Sequence, residues 1–324
     1  MSKFPFAHIA LISLALILPA APACAAASDA PPPGFSLTAS PAAQPDAASA
    51  GLAAPGGGDS AAPWRWRRAG PENYLGVALV GAGAIYVESE YGRPDAKWKA
   101  RNGFDESIRD LLRLGGRDDR DAAHTIGDIL MWGMIAAPVL DSAATLGVRD
   151  GAWDTLWQTE MVNLESFAFT SFVSALLQDT IGREKPFKRN CQNGVCEGNQ
   201  ENRSMASGHI AFALTGAGLV CNHHEYQSLY RDPAADRAAC LTGIGLAAAD
   251  GVVRIMADHH YATDVMAGTL IGFFSGFILP RLLHYSHPVA TAQEGKPASS
   301  VAGRLSLRPM LSGNATGLGC ELRF

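Results

Sequence analysis

The sequence predicts an all-α protein, a helical bundle followed by a short C-terminal β-hairpin. Three observations carry this expectation. Apolar segments rich in Ala, Gly and Leu recur between Tyr74 and Leu283 with a helical rather than an alternating period. Small residues fall on several faces of these segments, which suits close helix–helix packing. After Ser286 the character changes: Leu305 and Leu307, then Gly317 to Leu322, flank a Ser312-Gly313-Asn314 turn cluster.

The first 25 residues read as an export signal. Lys3 supplies the positive start, Ile9 to Leu18 the apolar run, Pro19 its end, and Ala23-Cys24-Ala25 the small residues a signal peptidase needs. That run is half the length of a spanning helix, which takes about 20 residues. Lipidation of Cys24 is the alternative, against which Ala21 stands where such signals carry Leu. Residues 26–68 are mostly Ala, Pro, Gly and Ser and read as a disordered linker, since they bury too little apolar surface to offset their ordering entropy. Trp64 and Trp66, at its end, are expected to pack on the body rather than lie at a membrane surface.

The body, 69–285, holds the apolar segments Tyr74–Val87, Ile126–Leu146, Leu156–Ile181, His209–Val220, Cys240–Met256 and Val265–Leu283. Asp128, Asp141, Glu160 and Glu165 interrupt them, and a carboxylate at bilayer depth costs several kcal/mol by order of magnitude. These charges favour a water-soluble bundle over a short-helix membrane enzyme, with membrane-surface contact left open. Residues 286–324 form the tail that carries the expected hairpin. The export signal leads us to expect a periplasmic location, an oxidising setting in which Cys191 with Cys196 and Cys221 with Cys240 are disulfide candidates. A net charge of −5 gives no support to nucleic-acid binding. No Cys or His set has metal-ligand spacing, so neither metal nor cofactor is expected.

Three blocks carry the chemistry. In Arg254-Ile-Met-Ala-Asp-His-His260-Tyr-Ala-Thr-Asp264, His260 and Asp264 are four apart and would share a helical face. The carboxylate would then fix the imidazole tautomer, freeing the other nitrogen as a nucleophile, and Arg254 offers a donor fork for phosphate oxygens. Asp258 and His259 read as flanking, substrate-facing groups. In Ala206-Ser207-Gly208-His209, Ser207 reads as a helix N-cap and Gly208 lets an anion approach the backbone N–H groups. His209 is placed to protonate a leaving oxygen. Gly182-Arg183-Glu184-Lys185-Pro186-Phe187-Lys188-Arg189 is a basic turn whose cations could line an anion pocket. His223 and His224 read as surface residues, and His124 has no partner at ligand spacing.

Together the blocks resemble the type 2 phosphatidic acid phosphatase superfamily, which also contains bacterial class A acid phosphatases and vanadium haloperoxidases. That family's pattern is Lys-x6-Arg-Pro, Pro-Ser-Gly-His and Ser-Arg-x5-His-x3-Asp. The third element matches at Arg254, His260 and Asp264, with Val253 for Ser; the second at Ser207, Gly208 and His209, with Ala206 for Pro. The first matches least, with Gln178 for Lys and Lys185-Pro186 for Arg-Pro.

The resemblance implies a helical bundle of the phosphatidic acid phosphatase/haloperoxidase type and an acid or lipid phosphate phosphatase. Such an enzyme hydrolyses phosphomonoesters or pyrophosphates, on a lipid or a small soluble molecule, without metal. It further implies a phosphohistidine on His260, orientation of that ring by Asp264, and proton transfer by His209. Arg254, Lys185, Arg183, Ser207 and Gly208 would hold the phosphate. Two rivals stand beside this reading: a vanadate-dependent haloperoxidase, which the loss of the first-block Lys at Gln178 also counts against, and a catalytically weakened member that binds phospholipid, motivated by Gln178 and Lys185.

Overall fold

The computed structural model describes residues 63–91, 95–191 and 200–289, and the backbone of 304–312 and 315–323. The expected signal peptide and all of the linker up to residue 62 lie outside the described residues. Seven α-helices follow in order: α1 (Pro71–Tyr91), α2 (Gly103–Leu112), α3 (Arg117–Ser142), α4 (Trp153–Ile181), α5 (Gly208–Gln227), α6 (Pro233–Met256) and α7 (Ala262–Phe273). Wider π turns extend α3 to Arg149, and a near-continuous run of them carries α7 on to Tyr285.

Local chemistry sets the boundaries that matter for the site. Asn102 caps α2 by accepting from the Asp105 N–H at 2.8 Å. Asp232 caps α6 through the Ala234 N–H at 2.9 Å, with Pro233 in the first turn. Gly182 ends α4 in the left-handed conformation at φ 56°, where a Cβ would also stand 2.6 Å from the Asp95 carbonyl oxygen. Asp264 takes the Tyr261 N–H at 2.8 Å and so starts α7.

Helix α5 is the axis of the bundle, buried along most of its length between α3, α4, α6 and α7. Small residues let its neighbours reach its backbone. A Cβ on Gly216 would sit 1.9 Å from the Met134 carbonyl oxygen of α3. On α7 and its extension, Gly268, Gly272 and Gly276 press on Ser207, Ala211 and Thr215, where a Cβ would stand 2.3 to 2.6 Å from a carbonyl oxygen. The Cys221–Cys240 disulfide ties α5 to α6, as the pairing expected. Cys191 is also disulfide-bonded; Cys196, its expected partner, lies outside the described residues. Trp64 packs on Val162, Leu219 and Tyr285, so the last residues of the expected linker lie on the body.

The described body is all helical. Arg304–Ser312 and Ala315–Arg323 pair as antiparallel strands in backbone alone. Their side chains lie outside the described residues, and the expected C-terminal hairpin is not supported as part of the fold class, which the helices alone define.

The polarity of the molecule departs from the water-soluble reading. Large apolar side chains face outward on the longest helices, among them Ile129, Leu241 and Leu270, the last 71% exposed. The carboxylates that argued against a bilayer turn inward: Asp141 Oδ2 meets His224 Nε2 at 2.7 Å and Glu165 Oε2 meets His284 Nε2 at 2.7 Å. Glu160 is bonded by Ser142 and Asn163. Arg117–Arg149, Pro233–Met256 and Ala262–Tyr285 are each long and apolar enough to cross a membrane. These helices support membrane association. His223 and His224 are likewise interior, not surface, residues: His223 bonds the Tyr285 hydroxyl and Asn163 Oδ1, and His224 lies between Asp141 and Asp236.

Candidate active site

The three sequence blocks meet where α5 and α7 begin and α6 ends. Gly208 and His209 open α5, Arg254 lies in the last turn of α6, and His260 occupies the short loop from α6 to α7. The His209 and His260 rings stand 6.5 Å apart, centroid to centroid. Lys185 and Arg254 are both buried, and each lies close enough to act on the charge of both rings.

His260 does not share a helical face with Asp264, because His260 lies in the loop before α7, which begins only at Ala262. Its Nδ1 lies 4.0 Å from Asp264 Oδ2 but 2.8 Å from the Ser204 carbonyl oxygen. A carbonyl only accepts, so Nδ1 carries the hydrogen and Nε2 keeps its lone pair. Ser204 therefore fixes the tautomer that the spacing assigned to Asp264. Burial, then the nearby charges of Lys185 and Arg254, pushes the imidazole well below its ordinary pKa and keeps it neutral. Asp264 acts one step back: its Oδ2 takes the Ser204 hydroxyl at 2.6 Å and its Oδ1 takes Arg183 at 2.5 Å.

Arg183 is not aimed at the anion position. Its guanidinium bonds Asp264, Thr263 and Asp105 and lies between the Trp98 and Tyr261 rings, at 4.4 and 4.3 Å. Two buried carboxylates outcompete any inward rotation. The guanidinium implied as a phosphate contact is thus engaged by Asp264 and Asp105. Asp258 also departs from expectation: it is fully buried, held by Arg109, Arg113 and Asn190, and faces no substrate.

Ser207 stands at the N-cap position of α5, yet its side chain makes no capping bond, and its Oγ is buried without a hydrogen-bond partner among the described residues. That leaves the hydroxyl, with the Gly208 N–H, for an incoming anion. Gln178 donates to the Ala206 carbonyl at 2.8 Å, bracing this loop where the family carries a cation. Burial, followed by repulsion from Arg254 and Arg203, lowers Lys185 to about 7.

Groups from α3 complete the arrangement, and no sequence signal marked them. Asp128 Oδ1 meets His209 Nε2 at 2.8 Å. Arg254 donates through Nη1 to His124 Nδ1 at 2.6 Å and through Nη2 to His259 Nδ1 at 3.3 Å. The His124 and His259 rings stack at 4.2 Å. Asp250, one turn before Arg254, is a buried carboxylate without a hydrogen-bond partner among the described residues. A Cβ on Gly127 would strike Arg254 Cδ at 2.9 Å, so α3 needs glycine there to pass this close. Among the described residues, no group of three or more His, Cys, Asp or Glu side chains is arranged to hold a metal ion.

The geometry gives a buried, cationic, two-imidazole site, chemistry suited to a phosphoryl group. Residues 160–288, the stretch that holds all three blocks, match the model of the PAP2 superfamily. The family supports a phosphatase-type hydrolase with a phosphate-bearing substrate. Among solved structures, a transmembrane PAP2 type phosphatidylglycerolphosphate phosphatase from Bacillus subtilis is similar over 65% of this chain and 94% of its own. The identity is 15% and the TM-score 0.42. No curated protein matches the chain.

Proposed function

We propose that this protein is a membrane-associated lipid phosphate phosphatase that works through a phosphohistidine on His260. The observation that carries the reading is the 6.5 Å approach of the His209 and His260 rings in a buried site with Arg254 and Lys185. His260 Nε2 attacks phosphorus, while its Nδ1 stays bonded to the Ser204 carbonyl. Arg254, Lys185, the Ser207 hydroxyl and the Gly208 N–H balance charge on the equatorial oxygens, the main demand of phosphoryl transfer. His209 protonates the leaving oxygen, then takes a proton from the water that cleaves the P–N bond. No metal takes part in these steps.

A lipid substrate follows from depth. His260 lies directly between Pro233–Met256 and Ala262–Tyr285, two of the three membrane-length helices. His124 is seven residues into the third, about 10 Å at 1.5 Å per residue. The site is thus close to one end of all three, the depth of a lipid phosphate in a bilayer whose apolar core is about 30 Å thick.

The test is His260→Ala in the full chain, purified in detergent micelles. Phosphate release from a lipid phosphomonoester should be abolished, and acid-labile phosphate should be trapped on a histidine of the wild type alone. Retention of most activity in His260→Ala refutes the proposal. In the wild type, vanadate should inhibit; halide oxidation on its addition would instead favour the haloperoxidase reading.

A further inference from the structure

The acid assigned above, His209, has a partner that belongs to none of the three blocks. Asp128 comes from α3, outside residues 160–288, and its Oδ1 stands 2.8 Å from His209 Nε2. Asp128 also lies 3.4 Å from Arg254 Nη1, so it is held as a carboxylate, and His209 Nε2 donates to it.

We infer that Asp128 is a positioning residue of the proton-transfer step: it anchors His209 through Nε2 and stabilises the imidazolium whose Nδ1 proton passes to the leaving oxygen. The inference rests on the phosphatase reading and adds α3 to its machinery.

The two imidazoles of the site are bonded to different acceptors, and the difference sorts their roles. His260 donates to a neutral carbonyl, which orients the ring without strongly favouring its charged form. His209 donates to a carboxylate, which does favour the charged form. The charged and titratable groups around His209 are Asp128 and His124 from α3, Arg254 from α6, Lys185 from the basic turn and His260 from the α6–α7 loop. Burial first, and then Arg254 and Lys185, oppose charge on the ring, the two cations until a phosphate neutralises them; among the described residues, Asp128 is the carboxylate bonded to it.

The step balances as follows. The His260 Nε2 lone pair forms the P–N bond as the bond from phosphorus to the leaving oxygen breaks. That oxygen takes the His209 Nδ1 proton and departs as an alcohol, leaving His209 neutral and still bonded to Asp128. Water then forms the new P–O bond, its proton returns to Nδ1, and the P–N bond breaks.

The experiment compares two substrates on the full chain in detergent micelles. A monoalkyl phosphate has a poor leaving group that needs the proton; p-nitrophenyl phosphate has one that leaves without it. Asp128→Asn should lower turnover of the alkyl phosphate by about 100-fold or more, the usual worth of general acid catalysis, and of the nitrophenyl phosphate only a few-fold. Adding Asp128→Asn to His209→Ala should cost nothing further on the alkyl phosphate, because both changes remove one unit. Asp128→Glu keeps the carboxylate and should restore most of the loss. Equal loss on both substrates, an additive double variant, or Asp128→Glu no better than Asp128→Asn overturns the inference. Failure of the parent reading looks different: His260→Ala would then keep turnover of both substrates.

Discussion

Lys185 should make anion binding fall as pH rises through neutrality. Its ammonium is buried beside Arg254 and Arg203, and its pKa is pushed down to about 7, first by burial and then by those two cations. A bound anion favours the protonated form, so affinity is full below that value and is lost above it. The linkage to stability runs the other way. In the unfolded chain the group titrates near its ordinary 10.5, so between about 7 and 10.5 the unfolded state binds more protons and stability rises with pH. Sulfate keeps one charge state across this range and therefore reports on the site alone. From pH 6 to pH 8 the protonated fraction of Lys185 falls from about ten-elevenths to about one-eleventh, roughly a tenfold loss of affinity or about 1.4 kcal/mol. Calorimetric titration of the full chain with sodium sulfate at pH 6, 7 and 8 measures it. Lys185→Arg should bind with a nearly flat profile, because a guanidinium stays charged throughout. A wild-type affinity independent of pH, or the same tenfold fall in Lys185→Arg, refutes the reasoning.

Two further predictions concern what holds the site. Arg183→Met leaves Asp105 and Asp264 buried without their shared cation, and should lower unfolding stability by about 3–5 kcal/mol in a urea titration; a loss under about 1 kcal/mol would mean the pair is solvated. Gly272→Val drives a side chain into the Ala211 carbonyl oxygen, 2.6 Å from an ideal Cβ, and should lose at least about 1–3 kcal/mol. Gly245→Ala, where a Cβ meets nothing within 4 Å, should stay within about 0.5 kcal/mol in the same assay.

Arg254, His260, Ser207, Gly208 and His209 were legible because each block is contiguous and its internal spacing carries the pattern. What those groups bond to was not legible. The His260 acceptor is a backbone carbonyl 56 residues away, and a carbonyl has no residue signature. The His209 partner is 81 residues away on α3, in a segment whose aspartates looked like interruptions of an apolar run. His124 and Arg254 are separated by 130 residues, and neither constrains the other in sequence. Spacing also misled at His260 and Asp264. Four residues apart is a helical relation only inside a helix, and the α6–α7 loop intervenes. Arg183 shows a related failure. Its charge suggested an anion partner, correctly, but Asp105, on α2 and remote in sequence, joined Asp264 in claiming the guanidinium.

The question of membrane or water turns on direction rather than amount. A count of charges along α3 and α4 gave Asp128, Asp141, Glu160 and Glu165 the weight of four carboxylates at bilayer depth. Their cost depends on where the side chain points. Each bonds to a partner within the bundle: His209, His224, Ser142 with Asn163, and Asn73 with His284. Pairing inward satisfies the carboxylates and leaves the outer faces of α3, α6 and α7 to Ile129, Leu241 and Leu270. Asp128, in the first half of α3, meets His209 while its side chain stays 43% exposed. On this reading, a carboxylate counted against a bilayer is the one that serves proton transfer.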